Sequence, residues 1–253
     1  MGAAKIRTAG MGTKGGASAP AAVAVRGGPG RRARAPLTKA RIVAAALELI
    51  GRDGLGRFSA RRLGEALGVE AMSVYHHFPS RQHLLDALVD QAIADVEFLP
   101  DGPPLERLRA LLYAYRAMAH RYPQLYPLVA LHRLNTPTGV QFIERVLALV
   151  NEVVPDPEQC ARQFRAVGYF LMGAALDETA GYARGPSAAA PVDDAYIAAH
   201  CPHLAAAARY FRPAEWDATF AVGVEALFAG FGAAPAARAV SPPARQRGGR
   251  ATS

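Results

Sequence analysis

FSARRLGEALGVEAMSVYHHFPSRQHLLDAL, residues 58–88, is the stretch of sequence that decides the fold. Ser59 suits the N-cap of a short helix, and Gly68 supplies the left-handed residue that ends it. A second short helix is predicted from Ala71 to His77, before the break at Pro79. Two short helices joined by a glycine-containing turn form a helix-turn-helix, whose second helix lies in the major groove of DNA.

The apolar residues of this stretch fall where they seal the angle between the two helices. Leu63, Leu67, Val69 and Val74 are predicted to face inward, and Gly64 lets the two backbones approach closely. Seven residues of helix rise only about 10 Å, which suits a probe for a groove about 12 Å wide. The outward face of the second helix offers Ala71, Met72, Ser73, Tyr75, His76 and His77.

Outward from this motif, the remaining periodic segments also favour helices. A first helix follows Thr38 and ends within 51–56, and further helices are predicted at 81–97, 105–121, 124–131, 138–153, 157–182, 193–211 with an interruption near Pro202, and 213–232. No alternating β-branched run competes with them. We therefore predict an all-α fold, with a three-helix DNA-binding head at 37–83 and a larger helical body at 84–232 for ligand binding and dimerisation.

The net charge of +8 is unevenly distributed along the chain. Residues 1–36 carry seven basic and no acidic side chains, 37–83 seven basic and four acidic, 84–232 eleven basic and seventeen acidic, and 233–253 four basic and none acidic. Few large apolar residues occur in the two end segments, so both are predicted to be disordered basic tails. A basic arm beside a basic head indicates a polyanionic partner, whereas an acidic body resists lying along DNA.

The head resembles the TetR family of bacterial regulators. The similarity rests on TKARIVAAALELIGRDG from Thr38, on LGEALGV from Leu63 and on SVYHHFPSRQHLLDAL from Ser73, where Arg81 replaces the usual lysine of the family pattern. The resemblance implies that Arg61, Met72 and Ser73 face bases. It also implies that Tyr75, His77 and Arg81 contact or flank phosphates, together with Thr38 and Lys39 at the start of the first helix. The whole set of DNA-binding candidates is Thr38, Lys39, Arg61, Ala71, Met72, Ser73, Tyr75, His76, His77 and Arg81.

The resemblance also assigns roles to the body. It implies a homodimer in which the helices at 157–182 and 213–232 of each subunit meet the partner, with Phe164, Gly168, Leu171, Phe220, Val224, Leu227 and Phe228 at the interface. It places a small-molecule effector pocket among the helices from 105 to 182, with Tyr113, Tyr115, Arg116, Met118, His120, His132, Phe142, Phe170 and Asp177 as candidates. Plain core packing is the competing interpretation for the aromatic residues. Asp177, on an apolar helix face, is expected to need Arg116, His132 or a ligand cation as its partner.

These features predict a ligand-responsive repressor that binds double-stranded operator DNA in the cytoplasm, associated with the nucleoid. The alternatives are a nonspecific DNA-coating protein acting through the basic tails and, less favoured, a helical ligand-binding enzyme. No nucleophile, base and orienter set supports catalysis, and no cofactor is predicted. Cys160 and Cys201 are expected to be reduced thiols, and an organelle transit peptide is a minor alternative for the N-terminal tail. His200, Cys201 and His203 favour an ordinary polar surface over a metal site. No apolar run is long enough for a membrane span.

Overall fold

The computed structural model describes residues 36–132, 136–179, 190 and 192–231. Within these residues the secondary structure is entirely helical, which confirms the predicted all-α class. The helices are α1 Lys39–Asp53, α2 Ala60–Leu67, α3 Ala71–His77, α4 Arg81–Ala94, α5 Pro104–Arg121, α6 Tyr126–His132, α7 Pro137–Val153, α8 Pro157–Thr179, α9 Asp194–His200, α10 Pro202–Ala207 and α11 Trp216–Phe228. Short 3-10 turns occupy Leu55–Arg57, Ala208–Phe211 and Pro213–Glu215.

Side-chain caps fix where the helices of the head begin. The Thr38 hydroxyl accepts a hydrogen bond from the backbone N–H of Arg41 at 3.2 Å, and the Ser59 hydroxyl accepts one from Arg62 at 3.3 Å. Such caps satisfy amides that have no partner inside the helix, each contributing about 1 kcal/mol. Gly68 ends α2 with φ 68° and ψ 36°, the left-handed conformation that glycine adopts without strain.

Gly64 brings α2 and the turn before α3 into direct backbone contact. A Cβ atom at Gly64 would lie 2.8 Å from the carbonyl oxygen of Val69 and 3.1 Å from the amide nitrogen of Ala71. Leu63 and Val74 are fully buried beside this contact. The predicted packing of the motif is therefore confirmed, and a larger residue at Gly64 would push α3 away from α2.

One hydrophobic core runs through the head and the body. Buried residues of α1 such as Ile42 and Ile50 pack in the same cluster as Leu88 of α4, Leu108 of α5 and Val150 of α7. α4 contacts α1 on one side and α6 and α7 on the other. A displacement of α4 therefore affects both the head and the helical body.

The structure refines several predicted boundaries. α4 ends at Ala94 instead of residue 97, because the chain turns at Asp95. The predicted helix at 193–211 is divided into α9, α10 and a 3-10 turn, since Pro202 starts a new helix, and its side chains are mostly exposed. The two predicted disordered tails, residues 180–182 of the predicted eighth helix and residue 232 lie outside the described residues, apart from Pro36. Over the described ranges, no helix is both long and apolar enough to cross a membrane.

Candidate functional site

The outer face of α3 is the first candidate site. Val74 is fully buried and Phe78, just after the helix, is 5% exposed, so this side anchors α3 to the head. Met72 points the other way and is 63% exposed, and Ser73 and His76 flank it with partial or full exposure. All ten predicted DNA-binding residues are at least partly exposed. The head thus presents a short helix whose outer face can enter a groove.

Basic side chains are exposed on the other helices of the head. Arg61, on α2, is 87% exposed, and its Nε atom donates a hydrogen bond to Glu65 at 3.0 Å. Because exposed ion pairs of this kind contribute little, a DNA phosphate or base can compete for the guanidinium. Lys39 and Arg81 are exposed at the first residues of α1 and α4, where free backbone amides also attract anions.

A cleft in the body is the second candidate site. It lies between α5, α7 and α8, where the enclosed volume is about 50 Å³. Tyr115 supplies the single hydroxyl among its described lining residues, and none of them is charged. The lining residues are Leu111, Leu112, Tyr115, Phe142, Ile143, Val146, Phe164, Val167, Gly168, Leu171 and Met172.

A cluster of charges around a buried Arg116–Glu178 pair lies on α5, α8 and α11. Arg116 Nε donates to Glu178 at 2.7 Å, and its Nη1 donates to Asp217 of α11 at 2.7 Å. His120 Nε2 lies 2.6 Å from the same Glu178 carboxylate. Burial opposes the charge of Arg116, but the hydrogen bonds to the two carboxylates outweigh it and raise its pKa above the ordinary value. The cluster thus joins α5, α8 and α11.

The expectation that Asp177 is the buried acid is wrong. Asp177 is exposed, and its neighbour Glu178 is buried against Arg116. One residue turns the side chain by about 100° around a helix, which is enough to exchange solvent for the core. Arg116, one of the three partners considered for Asp177, instead pairs with Glu178.

The other predicted effector residues are dispersed. Tyr115 and Phe142 line the cleft. Tyr113 and Phe170 instead pack their rings against Phe220 of α11, each at 5.2 Å between ring centroids. Met118 is buried in the core, His120 belongs to the charge cluster, and His132 is half-buried in the last turn of α6. The described lining of the cleft comes only from those faces of α5, α7 and α8 that point toward one another.

Most residues predicted for the dimer interface face the interior of their own chain. Phe220, Val224 and Phe228 are buried at four-residue spacing along one face of α11. Phe164, Gly168 and Leu171 line the cleft, and Leu227 packs partly buried against the core. The predicted interface is therefore wrong at Phe220, Val224 and Phe228 of α11 and at Leu171. Each of these side chains is covered by other residues of its own chain.

The cleft residues that sequence reasoning missed share a detectable signal. Phe164, Val167, Gly168 and Leu171 recur at three- and four-residue spacing on α8. This spacing identifies an inward face, but it does not separate a wall of the cleft from ordinary core. The distinction depends on the gap left between α8 and α7, which sequence does not reveal.

Hydrogen bonds tie α4 to the body at two points. Thr136, which caps α7, donates to Asp90, and Tyr122 at the end of α5 donates to Asp95 at the end of α4. Arg121 Nη1 also lies 3.2 Å from Asp95. Burial, followed by the hydrogen bond to Asp95, raises the pKa of Tyr122 to about 12. We call these two contacts the α4 joints.

The cysteines and their neighbours form no visible metal centre. Both Cys160 and Cys201 are free thiols, and burial raises the pKa of Cys160. Among the described residues, including His200, Cys201 and His203, no group of three or more potential ligands is arranged to hold a metal ion. The His200 ring packs against Tyr196 at 4.5 Å between centroids.

Comparison with known families identifies the class of protein. The pattern described as "Bacterial regulatory proteins, tetR family" matches residues 42–88, which include the helix-turn-helix. The pattern described as "Tetracyclin repressor-like, C-terminal domain" matches residues 99–234, more than half of the chain. The chain belongs to the TetR family. This membership confirms the resemblance seen in the sequence.

Individual members of the TetR family extend the similarity beyond the head. The HTH-type transcriptional repressor DrrR1 of Streptomyces coeruleorubidus is 30% identical over 59% of this chain, and the aligned stretch spans 57% of that protein's length. A possible TetR family regulator from Streptomyces coelicolor A3(2) has a TM-score of 0.63 at 27% identity, covering 76% of this chain and 98% of its own. ActR of Streptomyces coelicolor in complex with actinorhodin has a TM-score of 0.58 at 26% identity, covering 78% and 97%.

Proposed function

We propose that the chain is a homodimeric repressor of transcription that binds operator DNA through α3 and leaves it when a small molecule enters the body. The observation that carries this proposal is the presentation of α3. Its inner face is anchored by Val74, while Met72 and His76 are exposed and basic side chains are exposed on the other helices of the head. DrrR1 is named as a transcriptional repressor, and the ActR structure contains actinorhodin. The protein would act in the cytoplasm, on chromosomal DNA.

A second copy of the chain is the expected partner of an exposed face on α8 and α11. Tyr169 of α8 is 60% exposed and Val222 of α11 is 71% exposed, on helices that pack against each other. Ala161 and Arg165 precede Tyr169 at four-residue spacing, and Ala218 and Ala226 flank Val222 in the same way. These exposed rows of alanine, valine and tyrosine, with Arg165 among them, can pair with the same rows of a partner around a twofold axis. This face lies on the same two helices as the interface predicted from sequence, but it uses other residues of them.

Release from DNA is proposed to pass through the α4 joints. A ligand in the cleft would move α5, α7 or α8 relative to one another, because its atoms need more room than the side chains leave. α5 and α7 hold α4 through Tyr122 and Thr136, and α4 continues from the head. The ligand shifts the equilibrium only as far as it binds the released conformation more tightly.

Gel-shift titration with DNA from upstream of the protein's own gene tests the DNA-binding half of the proposal. We expect a complex that survives an excess of unrelated DNA, and Met72→Glu should weaken it by about tenfold or more because its charge would face the groove. Ala94→Glu is the matched control, since it adds the same charge at an exposed position outside α3, at the last residue of α4. If unrelated competitor DNA displaces the complex as readily as the same DNA does, the result would instead favour the nonspecific DNA-coating protein.

The Asp95→Asn variant tests the release half. It replaces the carboxylate that accepts a hydrogen bond from Tyr122 and pairs with Arg121 by a neutral amide of the same shape. We expect operator affinity and ligand affinity to stay near those of the original protein, while the ligand's effect on operator affinity changes. An unchanged ligand effect in this variant and in Thr136→Val would contradict a route through the α4 joints.

A further inference from the structure

A groove between the head and the body lies outside both sites described above. One wall is the second half of α1, and the other is the end of α5 with the residues that lead into α6. The volume of this groove is about 420 Å³, against about 50 Å³ for the cleft among α5, α7 and α8. Small-molecule sites in proteins have volumes of this order. The groove can therefore hold an organic molecule without displacement of its walls.

Glu48 gives the groove a negative charge that no neighbouring cation balances. It lines the groove from α1 and is exposed, and it takes part in none of the hydrogen bonds or ion pairs between described residues. Arg52, one turn further along α1, is instead held by Asp53, with its Nε atom 2.9 Å from that carboxylate. Across the groove, Arg121 Nη1 pairs with Asp95 at 3.2 Å. The uncompensated charge is therefore negative, and it favours a cation over an anion.

Apolar side chains line the groove beside this charge. Leu47 of α1 is half-buried, and Leu125, just before α6, is 1% exposed, so each wall contributes a leucine. Gln124 also lies on the body wall, and its Oε1 atom is 3.5 Å from where a Cβ atom at Gly54 would be. The body wall thus reaches the residue that ends α1. A molecule in the groove contacts the head and the body at once.

Gly51 leaves room at the head wall of the groove. It lines the groove, and a Cβ atom built at this position meets no atom within 4 Å. Gly51 lies inside α1, where glycine is less favourable than alanine by roughly 0.5–1 kcal/mol. Helix packing therefore does not require a glycine here, and a larger side chain would occupy the groove instead.

We propose that this groove is a second binding site, which takes a small organic cation with an apolar body. Glu48 binds the positive charge, and the apolar body lies between Leu47 and Leu125. Because one wall belongs to the head and the other to the body, the bound molecule opposes a displacement of one relative to the other. The site is separate from the cleft of the proposed function, so neither proposal depends on the other.

Calorimetric titration with two probes that share an indole ring tests the proposal. Tryptamine is cationic at neutral pH, whereas indole-3-propionate, of nearly the same size, is anionic. We expect tryptamine to bind about tenfold or more tightly than indole-3-propionate, because the change of sign turns attraction to Glu48 into repulsion. Glu48→Gln should reduce this preference to about threefold or less. Glu144→Gln, the same change at an exposed position of α7, should leave the preference intact.

A second pair of variants tests the place of binding. Gly51→Leu should weaken tryptamine binding by about tenfold or more, because the leucine side chain fills the groove. Gly56→Leu is the matched control, since Gly56 has equally open surroundings but does not line the groove. Its tryptamine affinity should equal that of the original protein.

Thermal unfolding of each variant without a probe checks that the fold is intact, and Glu48→Gln, an exposed substitution, should leave the unfolding temperature unchanged. Equal binding of the two probes, a preference for tryptamine that survives Glu48→Gln, or no binding of tryptamine at about 1 mM would overturn the inference. Unchanged tryptamine binding in Gly51→Leu would overturn it as well. Failure of the original protein to bind DNA selectively would instead refute the proposed function and leave the probe results intact.

Discussion

At the scale of single residues, two neighbouring acids of α8 have opposite environments. Glu178 is 8% exposed and holds Arg116 and His120, whereas Asp177 faces solvent. The helix rotation between adjacent residues explains the difference. Removing Glu178 would leave the buried Arg116 guanidinium with only Asp217 as a carboxylate partner among its described contacts, and Asp217 is itself exposed.

We therefore expect Glu178→Ala to lower the free energy of unfolding by about 3 kcal/mol, since breaking a buried ion pair strands its other member. Asp177→Ala, the matched control one residue away, should change it by less than about 0.5 kcal/mol, as exposed positions generally do. Urea denaturation of both variants measures the two values. Similar losses in the two variants would show that the cluster contributes no particular stability.

Tyr122 provides a second prediction at this scale, through the pH dependence of stability. The folded protein raises the pKa of Tyr122 from 10.0 to about 12, so folding favours the protonated phenol. The resulting stabilisation is complete below pH 10 and is lost as the pH rises through the folded pKa. The stability difference between the original protein and Tyr122→Phe should therefore shrink between pH 10 and about 12. A difference that stays constant across this interval would show that folding does not raise the pKa of Tyr122.

At the scale of elements, the head was predictable because its determinants are local. Thr38 and Ser59 cap their helices, Gly68 ends α2 and Gly64 fits against the turn, each within a few residues of its partner. The body site was less predictable because it depends on contacts between distant segments. Phe220 and Val224 have the same periodicity whether they meet a second subunit or their own core, and the structure assigns them to the core.

The starts of α1 and α4 carry a prediction about DNA affinity. Lys39→Ala and Arg81→Ala should each weaken operator binding by a similar factor for matched and mismatched sequences. Each should also reduce the salt dependence of the logarithm of the binding constant by about one unit, because one phosphate contact is lost. Fluorescence anisotropy across a series of salt concentrations measures both quantities.

Arg145→Ala is the control for these two variants. Arg145 is an exposed arginine of α7 whose guanidinium lies over the Phe98 ring, on the body instead of the head. Its removal should leave the salt dependence unchanged. If Arg145→Ala reduced the salt dependence as much as Lys39→Ala does, the loss of any positive charge would have the same effect wherever it lies. That result would contradict the proposed docking of the head.

At the scale of the whole molecule, DNA binding depends on the distribution of charge along the chain and on the joining of two heads. The excess of basic residues lies at the head and the two ends of the sequence, and the body is acidic. One helix of seven residues makes too few contacts to select an operator, so two heads must be joined at a fixed separation. We propose that the exposed faces of α8 and α11 provide the surface for that joining.

Val222→Glu should therefore convert a dimer into a monomer, because it would bury like charges across the twofold axis. Light scattering after size exclusion measures the mass, and Ala94→Glu again serves as the control for the added charge. A variant that remains dimeric would place the interface elsewhere on the chain.

The central claim, that two copies of α3 read one operator, is tested most directly by selecting bound sequences from a random pool of duplex DNA. We expect the enriched sequences to form a palindrome whose half-sites lie about one helical turn, roughly 10 base pairs, apart, and Met72→Glu to abolish the enrichment. Enrichment of a motif without twofold symmetry, or recovery of DNA without any preferred sequence, would contradict the claim.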